Sequence, residues 1–241
     1  LDKPDKKQVE GYIRISGSTN NSRIKLMVSG ADNQVWYDVK LDNGKFDEEI
    51  WFDKQGKYTI EIMVNEYDRK YSYGPGITVE NTEELDKYLI PAKHIESSNE
   101  EIINTAREIT KSCSNDLEKA RTIYDWVTDN IQFDYDKLLR HKNGQYDNEY
   151  GALNTINSGK GVCYDYATLA AALCRSLGLR AKVAEGDLNN GPLKGFHAWN
   201  EIYIGESNSW ISIDTTLGAT NGEDYFNFRD DEKTYTVCEY K

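Results

Sequence analysis

Three side chains able to do chemistry together follow one another along the chain: Cys163, His197 and Asp214. Cys163 stands at the mouth of Gly159 to Gly178, a glycine-flanked turn that opens straight into an apolar helix. A thiol attacks only as thiolate, and a helix N-terminus beside an imidazolium favours that form. The first amides of a helix have no internal partner and carry about half a positive charge. They can therefore also hold the oxyanion of a tetrahedral intermediate, and losing one such donor typically costs about 2.7–4 kcal/mol of transition-state stabilisation. His197 precedes a strand that alternates Ala198, Asn200 and Ile202 against Trp199, Glu201 and Tyr203, which puts the imidazole at a strand edge. Asp214 closes a neighbouring strand, about 4.8 Å away, where its carboxylate can accept from the second ring nitrogen and fix the tautomer. Singly, each residue has a plain structural reading as packing, a strand end or a turn. Only the conjunction points to nucleophilic catalysis.

The elements around these residues divide the chain. Residues 1–80 read as six or seven short strands, among them Val9–Ile15, Arg23–Val28, Val35–Leu41, Phe46–Phe52, Gly56–Val64 and Ile77–Val79, separated by Asp42-Asn-Gly44 and Gly74-Pro-Gly76. That spacing predicts a β-sandwich of immunoglobulin-like size, and no set of catalytic side chains falls in it. Residues 81–98 read as a linker with a short helix stopped by Pro91. In 99–241, Ser98-Asn-Glu-Glu101 predicts a capped helix carrying Ile102, Ala106 and Ile109. A second helix from Ser114 has the stripe Leu117, Ala120, Ile123, Tyr124, Val127 and Ile131. Residues 134–158 read as a long polar loop forming one wall of a cleft. Strands are expected at 180–185, 198–204, 210–214 and 234–239, after a helix ending at Gly178. The fold class is α+β, helices first and then an antiparallel sheet.

The formal charge of −12, most of it in 83–241, argues against nucleic acid, which needs clustered Lys and Arg. It suits an amine or a cationic peptide as the steered ligand. The four cysteines show no metal spacing, and Cys113–Cys238 is the only bridge that leaves Cys163 free and Cys174 in the helix. No apolar run is long enough to span a membrane, and no calcium loop of the EF-hand type occurs. No metal and no cofactor are expected. The start at Leu1 reads as a trimmed end.

Gly161-Val-Cys-Tyr-Asp-Tyr-Ala-Thr-Leu169, with Leu173 and Leu177-Gly-Leu-Arg-Ala181 behind it, resembles the transglutaminase-like core. His197-Ala-Trp199 with Glu201, then Trp210 and Asp214, resembles the other two blocks of that family in order and spacing, so the likeness spans roughly 100–220. It implies a papain-like fold for the second part. It also implies a triad, with Cys163 as nucleophile through a thioester, His197 as general acid and base, and Asp214 orienting it. Trp199 becomes an aromatic wall and Glu201 a support behind the site. Two departures stand out: Thr215 occupies the place where the family often has proline, and no motif fixes the side chain that completes the oxyanion hole. Tyr150 is the candidate there, with Tyr164 and Trp199 as further pocket residues.

The family includes amide cross-linkers, proteases, deglycosylating amidases and inert binders, so three readings stay open. The first is acyl transfer from a peptide or glutamine side-chain amide to an amine or water. The second is a cysteine protease or amidase with the same triad, and the third a cell-surface binding module whose triad is vestigial. The expected partners are a protein or peptide substrate and an amine acceptor. The expected setting is that of an exported bacterial protein, extracellular or at the cell surface, associated with the envelope.

Overall fold

A computed structural model describes residues 7–146, 149–190, 193–228 and 234–241. The chain forms two compact units, Leu1–Lys87 and Tyr88–Lys241.

The first unit is all β. Its strands are β1 (Gln8–Val9), β2 (Tyr12–Ser18), β3 (Ile24–Ser29), β4 (Gln34–Asp38), β5 (Lys45–Trp51), β6 (Gly56–Tyr67) and β7 (Lys70–Asn81). Five of them lie in the order β1-β7-β6-β3-β4, and β2 pairs with β5 in a separate ribbon. Alternation decides which side chains face inward. Ile13, Ile15, Phe46 and Ile50 from the ribbon meet Ile24, Leu26, Val28, Ile60, Ile62 and Val79 from the larger sheet in one buried cluster. This all-β arrangement fits a β-sandwich. Asn43 and Gly44, at φ 49° and 75°, make the tight turn into β5, as the Asn-Gly pair predicts. Gly74-Pro-Gly76 makes no turn: it lies inside β7, and the reversal falls at Asp68 (φ 47°). The ladder accommodates Pro75, which has no N–H to donate, by a register shift between Glu61 and Met63 on β6.

The stretch 81–98 is not a separate linker. Asn81 is buried and bonds Gly11 in the first unit. The amide of Ala181 donates to Tyr88 O, the Arg175 guanidinium to Ile90 O, and Ile95 is wholly buried in the core of the second unit. The helix expected before Pro91 is absent.

The second unit contains α1 (Glu100–Ile109), α2 (Asp116–Asn130), β8 (Gln132–Phe133), α3 (Tyr135–Lys142), α4 (Ala152–Ser158), β9 (Lys160–Gly161) and α5 (Cys163–Ser176). These are followed by β10 (Ala181–Asn190), β11 (Leu193–Ile204), β12 (Ser209–Ile213), α6 (Thr215–Asn221), β13 (Phe226–Phe228) and β14 (Tyr235–Tyr240). The sheet runs β13-β12-β11-β10-β14, antiparallel at every described pair. Helix α5 is its central support. Ala167 and Leu169 to Cys174 are all essentially inaccessible, so the helix is enclosed on every side. Gly178, at φ 78°, ends it. Asn200 on β11 ties sheet to helix by donating to Ala167 O at 2.9 Å.

Several elements depart from expectation. The α1 cap is Asn99, accepting from the amide of Glu101, rather than Ser98, and α2 is capped by Asn115. Leu117 is 45% exposed, off the buried stripe of α2. The polar stretch 134–158 holds α3 and α4 (147–148 lie outside the described residues). Short polar helices show little apolar periodicity, but Asp134 caps α3 by accepting from the amide of Lys137.

Candidate active site

The turn that presents Cys163 is held from below. Strand β9 runs parallel to β8, and the amides of Gln132 and Asp134 donate to Gly159 O and Gly161 O, both at 2.9 Å. Asp165, in the first turn of α5, reaches back to accept from the amide of Val162 at 2.8 Å. A Cβ on Gly161 would stand 2.4 Å from Asp165 Cβ, so this closure requires glycine. Cys163 is thereby placed at the helix tip, half-buried and reachable.

His197 lies within β11, opposite Gly186 of β10, rather than ahead of its strand, because the strand begins at Leu193. Its Nε2 is 2.7 Å from Asp214 Oδ2, and the Cys163 side chain lies close enough to the ring to act on its protonation. With Nε2 engaged by the carboxylate, Nδ1 is the nitrogen left for sulfur. Burial opposes charge on this imidazole, but Asp214 and then Cys163 outweigh it and push the His197 pKa up to about 10. Asp214 is fully buried and also caps α6, its Oδ1 accepting from the amide of Leu217 at 2.9 Å. The Asp-Thr-Thr sequence, which taken alone reads as a turn, is this helix start. Thr215 takes up the first helical position without the family's proline.

The other sequence candidates are placed differently. Trp199 is 1% exposed, with its ring centroid 6.3 Å from that of His197 and nearly parallel to it. It is a buried floor rather than an open wall. Glu201 pairs with Lys182 at 2.6 Å and accepts from the Tyr240 hydroxyl; these partners, not His197, engage its carboxylate. The Tyr150 hydroxyl is 2.8 Å from His141 Nε2, and its ring stacks on His94 at 5.7 Å. The Tyr164 hydroxyl is 3.1 Å from His94 Nδ1, and burial, aided by Glu185 and Glu96, drives its pKa far above the usual tyrosine range. Tyr164 is therefore a neutral hydroxyl next in sequence to the thiol.

Three residues escaped sequence reasoning. Lys137, from α3, places its ammonium 2.9 Å from Asp165 Oδ2 and 4.1 Å from the centre of the Tyr150 ring. Asp165 stood in the quoted motif, and its place three residues after the Val162 cap is the signal that could have given it a role. The Tyr235 hydroxyl donates to Asp214 Oδ2 at 3.1 Å, and no spacing announces it. All four cysteines are free, so Cys113 and Cys238 are not bridged. Among the described residues no group of three or more His, Cys, Asp and Glu side chains could hold a metal ion. No helix among them is long and apolar enough to cross a membrane.

Residues 103–215 match the model of the transglutaminase-like superfamily. A UPF0252 protein of Methanocaldococcus jannaschii is 46% identical over 50 residues, a match covering 20% of this chain and 14% of that protein. Among solved structures, a candidate cysteine protease from Cytophaga hutchinsonii aligns over 97% of this chain and 85% of its own, at 18% identity and a TM-score of 0.46. Red sea bream transglutaminase aligns over 91% of this chain and 50% of its own, at 12% identity and a TM-score of 0.38.

Proposed function

We propose that this protein is a thiol enzyme that attacks a peptide or glutamine side-chain amide through Cys163 and passes the acyl group to an amine or to water. The observation that carries the reading is a single imidazole bonded to a fully buried carboxylate and influenced by the thiol at a helix tip. The Cys163 thiolate adds to the amide carbonyl carbon, and the first amides of α5 face the oxygen on which charge develops. Collapse breaks the C–N bond, and the nitrogen leaves with a proton from the His197 imidazolium, giving a thioester. His197, now neutral, takes a proton from the incoming amine or water as that nucleophile adds, and the thiolate departs. Asp214 keeps the ring in the tautomer and orientation both steps need.

Amine transfer and hydrolysis share the first half and differ only in the acceptor. The −12 charge favours a cationic acceptor or peptide near the surface. Incubating the protein with a glutamine-containing peptide and a fluorescent primary amine tests both at once. Incorporation of the amine supports transfer, and conversion of the glutamine to glutamate or a cleaved peptide supports hydrolysis, ammonia leaving from the glutamine in both cases. Either must vanish in Cys163→Ala. Turnover surviving in that variant, or neither product from wild type with Cys163 as slow to alkylate as an ordinary thiol, defeats the reading in favour of a binding module.

A further inference from the structure

The carboxylate of Asp214 is held from three elements, and only one of them, β11, lies wholly within the matched residues 103–215. Its Oδ1 accepts from the α6 amide of Leu217, and its Oδ2 accepts from His197 on β11 and from the hydroxyl of Tyr235 at 3.1 Å. Tyr235 opens β14, beyond the matched residues 103–215. In the sheet order, β10 and β11 separate that strand from β12, which Asp214 follows. The phenol is fixed rather than free. It is 6% exposed, its ring centroid lies 4.9 Å from that of Trp199 edge to face, and also 4.9 Å from that of Phe228.

We propose that Tyr235 is a positioning residue of this site, its hydroxyl fixing the Asp214 carboxylate that orients His197 and drawing off part of the charge that the imidazole feels. The inference rests on the thiol-enzyme reading for its meaning, but its geometry does not. The terminal torsion of an aspartate is broad, so one bond to a histidine does not fix the plane of the carboxylate. An amide on one oxygen and a phenol on the other do. The second effect has a definite sign. Two donors share Oδ2, so each sees less negative charge than it would alone, and removing the phenol leaves the imidazolium more tightly held. The groups facing this pair are the Cys163 thiol, beyond the ring, and the Tyr124 hydroxyl on α2, which feels the Asp214 charge.

The test compares wild type, Tyr235→Phe and Cys163→Ala. Two readouts need no substrate: the His197 ring-proton titration by NMR, and the pH profile of iodoacetamide alkylation, followed by mass on the Cys163 peptide. In Tyr235→Phe the His197 titration moves to higher pH. Turnover of the amine-incorporation reaction falls roughly tenfold in kcat, the scale of a lost hydrogen bond to a charged group, with KM unchanged. Placing 3-fluorotyrosine at 235, a stronger donor that keeps the ring and the fold, moves the titration to lower pH. A His197 titration that stays put in both variants, or moves the opposite way, overturns the proposal even if kcat falls. Activity retained in Cys163→Ala instead overturns the thiol-enzyme reading, and the two NMR titrations still decide the role of Tyr235.

Discussion

Lys137 Nζ and Asp165 Oδ2 lie 2.9 Å apart with their side chains 5% and 0% exposed, an ion pair buried directly beneath the turn that carries Cys163. Burial pushes the Asp165 carboxyl above the usual carboxylate range, and Lys137 pulls it back only in part. The pair is a clamp, because Asp165 also holds the Val162 amide and Lys137 also donates to Glu149 O. Removing one member of such a pair strands a charge and typically costs about 3–5 kcal/mol. Lys137→Met therefore destabilises by that order. Its loss is larger at pH 8 than at pH 5, because a carboxyl raised in the folded state favours folding only while protonated and forfeits that contribution as pH rises through its folded value. The double variant Lys137→Met with Asp165→Asn regains part of the loss. Urea unfolding at the two pH values measures this, and a cost below about 1 kcal/mol for the single variant refutes the clamp.

Asp214 serves two purposes that one substitution can separate. Asparagine keeps an oxygen to cap α6 but cannot hold His197 in the productive tautomer. Alanine loses both functions. Asp214→Asn should lower kcat by roughly 10²–10⁴-fold and lose, below pH 10, the stability that the raised His197 pKa contributes. Asp214→Ala should match it in activity and in addition lose about 1 kcal/mol for the missing cap. Equal stability losses in the two variants would contradict the capping role, and a change confined to KM would contradict the orienting one.

The shifted imidazole makes a prediction about stability as well as rate. His197 titrates near 6.5 when unfolded and is pushed up to about 10 when folded, so the folded state binds the proton more tightly. Its contribution is complete below about pH 6.5 and is lost as pH climbs toward 10. The stability gap between wild type and His197→Gln should thus be widest near pH 6 and narrow steadily to pH 10. Equilibrium unfolding at pH 6, 8 and 10 reads the gap, and a gap that widens with pH has the wrong sign.

The legible parts of this molecule are those whose physics is local. Cys163 could be found because a glycine turn before an apolar helix is a sequence-adjacent pattern, and α5 because its run of small apolar residues is enclosed on all sides. His197 and Asp214 were legible as residues; Asp214 does follow the strand next to that of His197, whereas His197 was misplaced ahead of its strand. The alternation from Ala198 onward hid the earlier half of β11, whose start at Leu193 owes its order to pairing with β10. Helices α3 and α4 escaped because neither shows an apolar stripe of useful length, and the Asp134 cap was the one local sign of the first. Gly74-Pro-Gly76 misled because turn propensity gave way to a ladder along β6 and β7. Tyr235 and Lys137 reach the site from 21 and 28 residues away in sequence from the side chains they bind, and such contacts leave no periodic trace.

Gly186 offers a way to move Tyr235 without touching it. This residue lies opposite His197 on one side and marks the register shift with β14 on the other. A Cβ there would stand 1.9 Å from Thr236 O and 3.0 Å from Val237 Cα, both backbone atoms that no side-chain rotation can relieve. Gly186→Ala must therefore push β14 away from β10, and with it the hydroxyl of Tyr235 from Asp214. Overpacking of this kind typically costs about 1–3 kcal/mol. Hydrogen exchange should quicken at the β14 amides while those of α5 keep their protection, since α5 is enclosed by α1, α2, α4 and the other face of the sheet. The His197 titration should then move in the direction expected of Tyr235→Phe, and combining the two substitutions should add little, because both remove one and the same bond. Full additivity would mean that Gly186 acts on the imidazole through its own strand rather than through Tyr235.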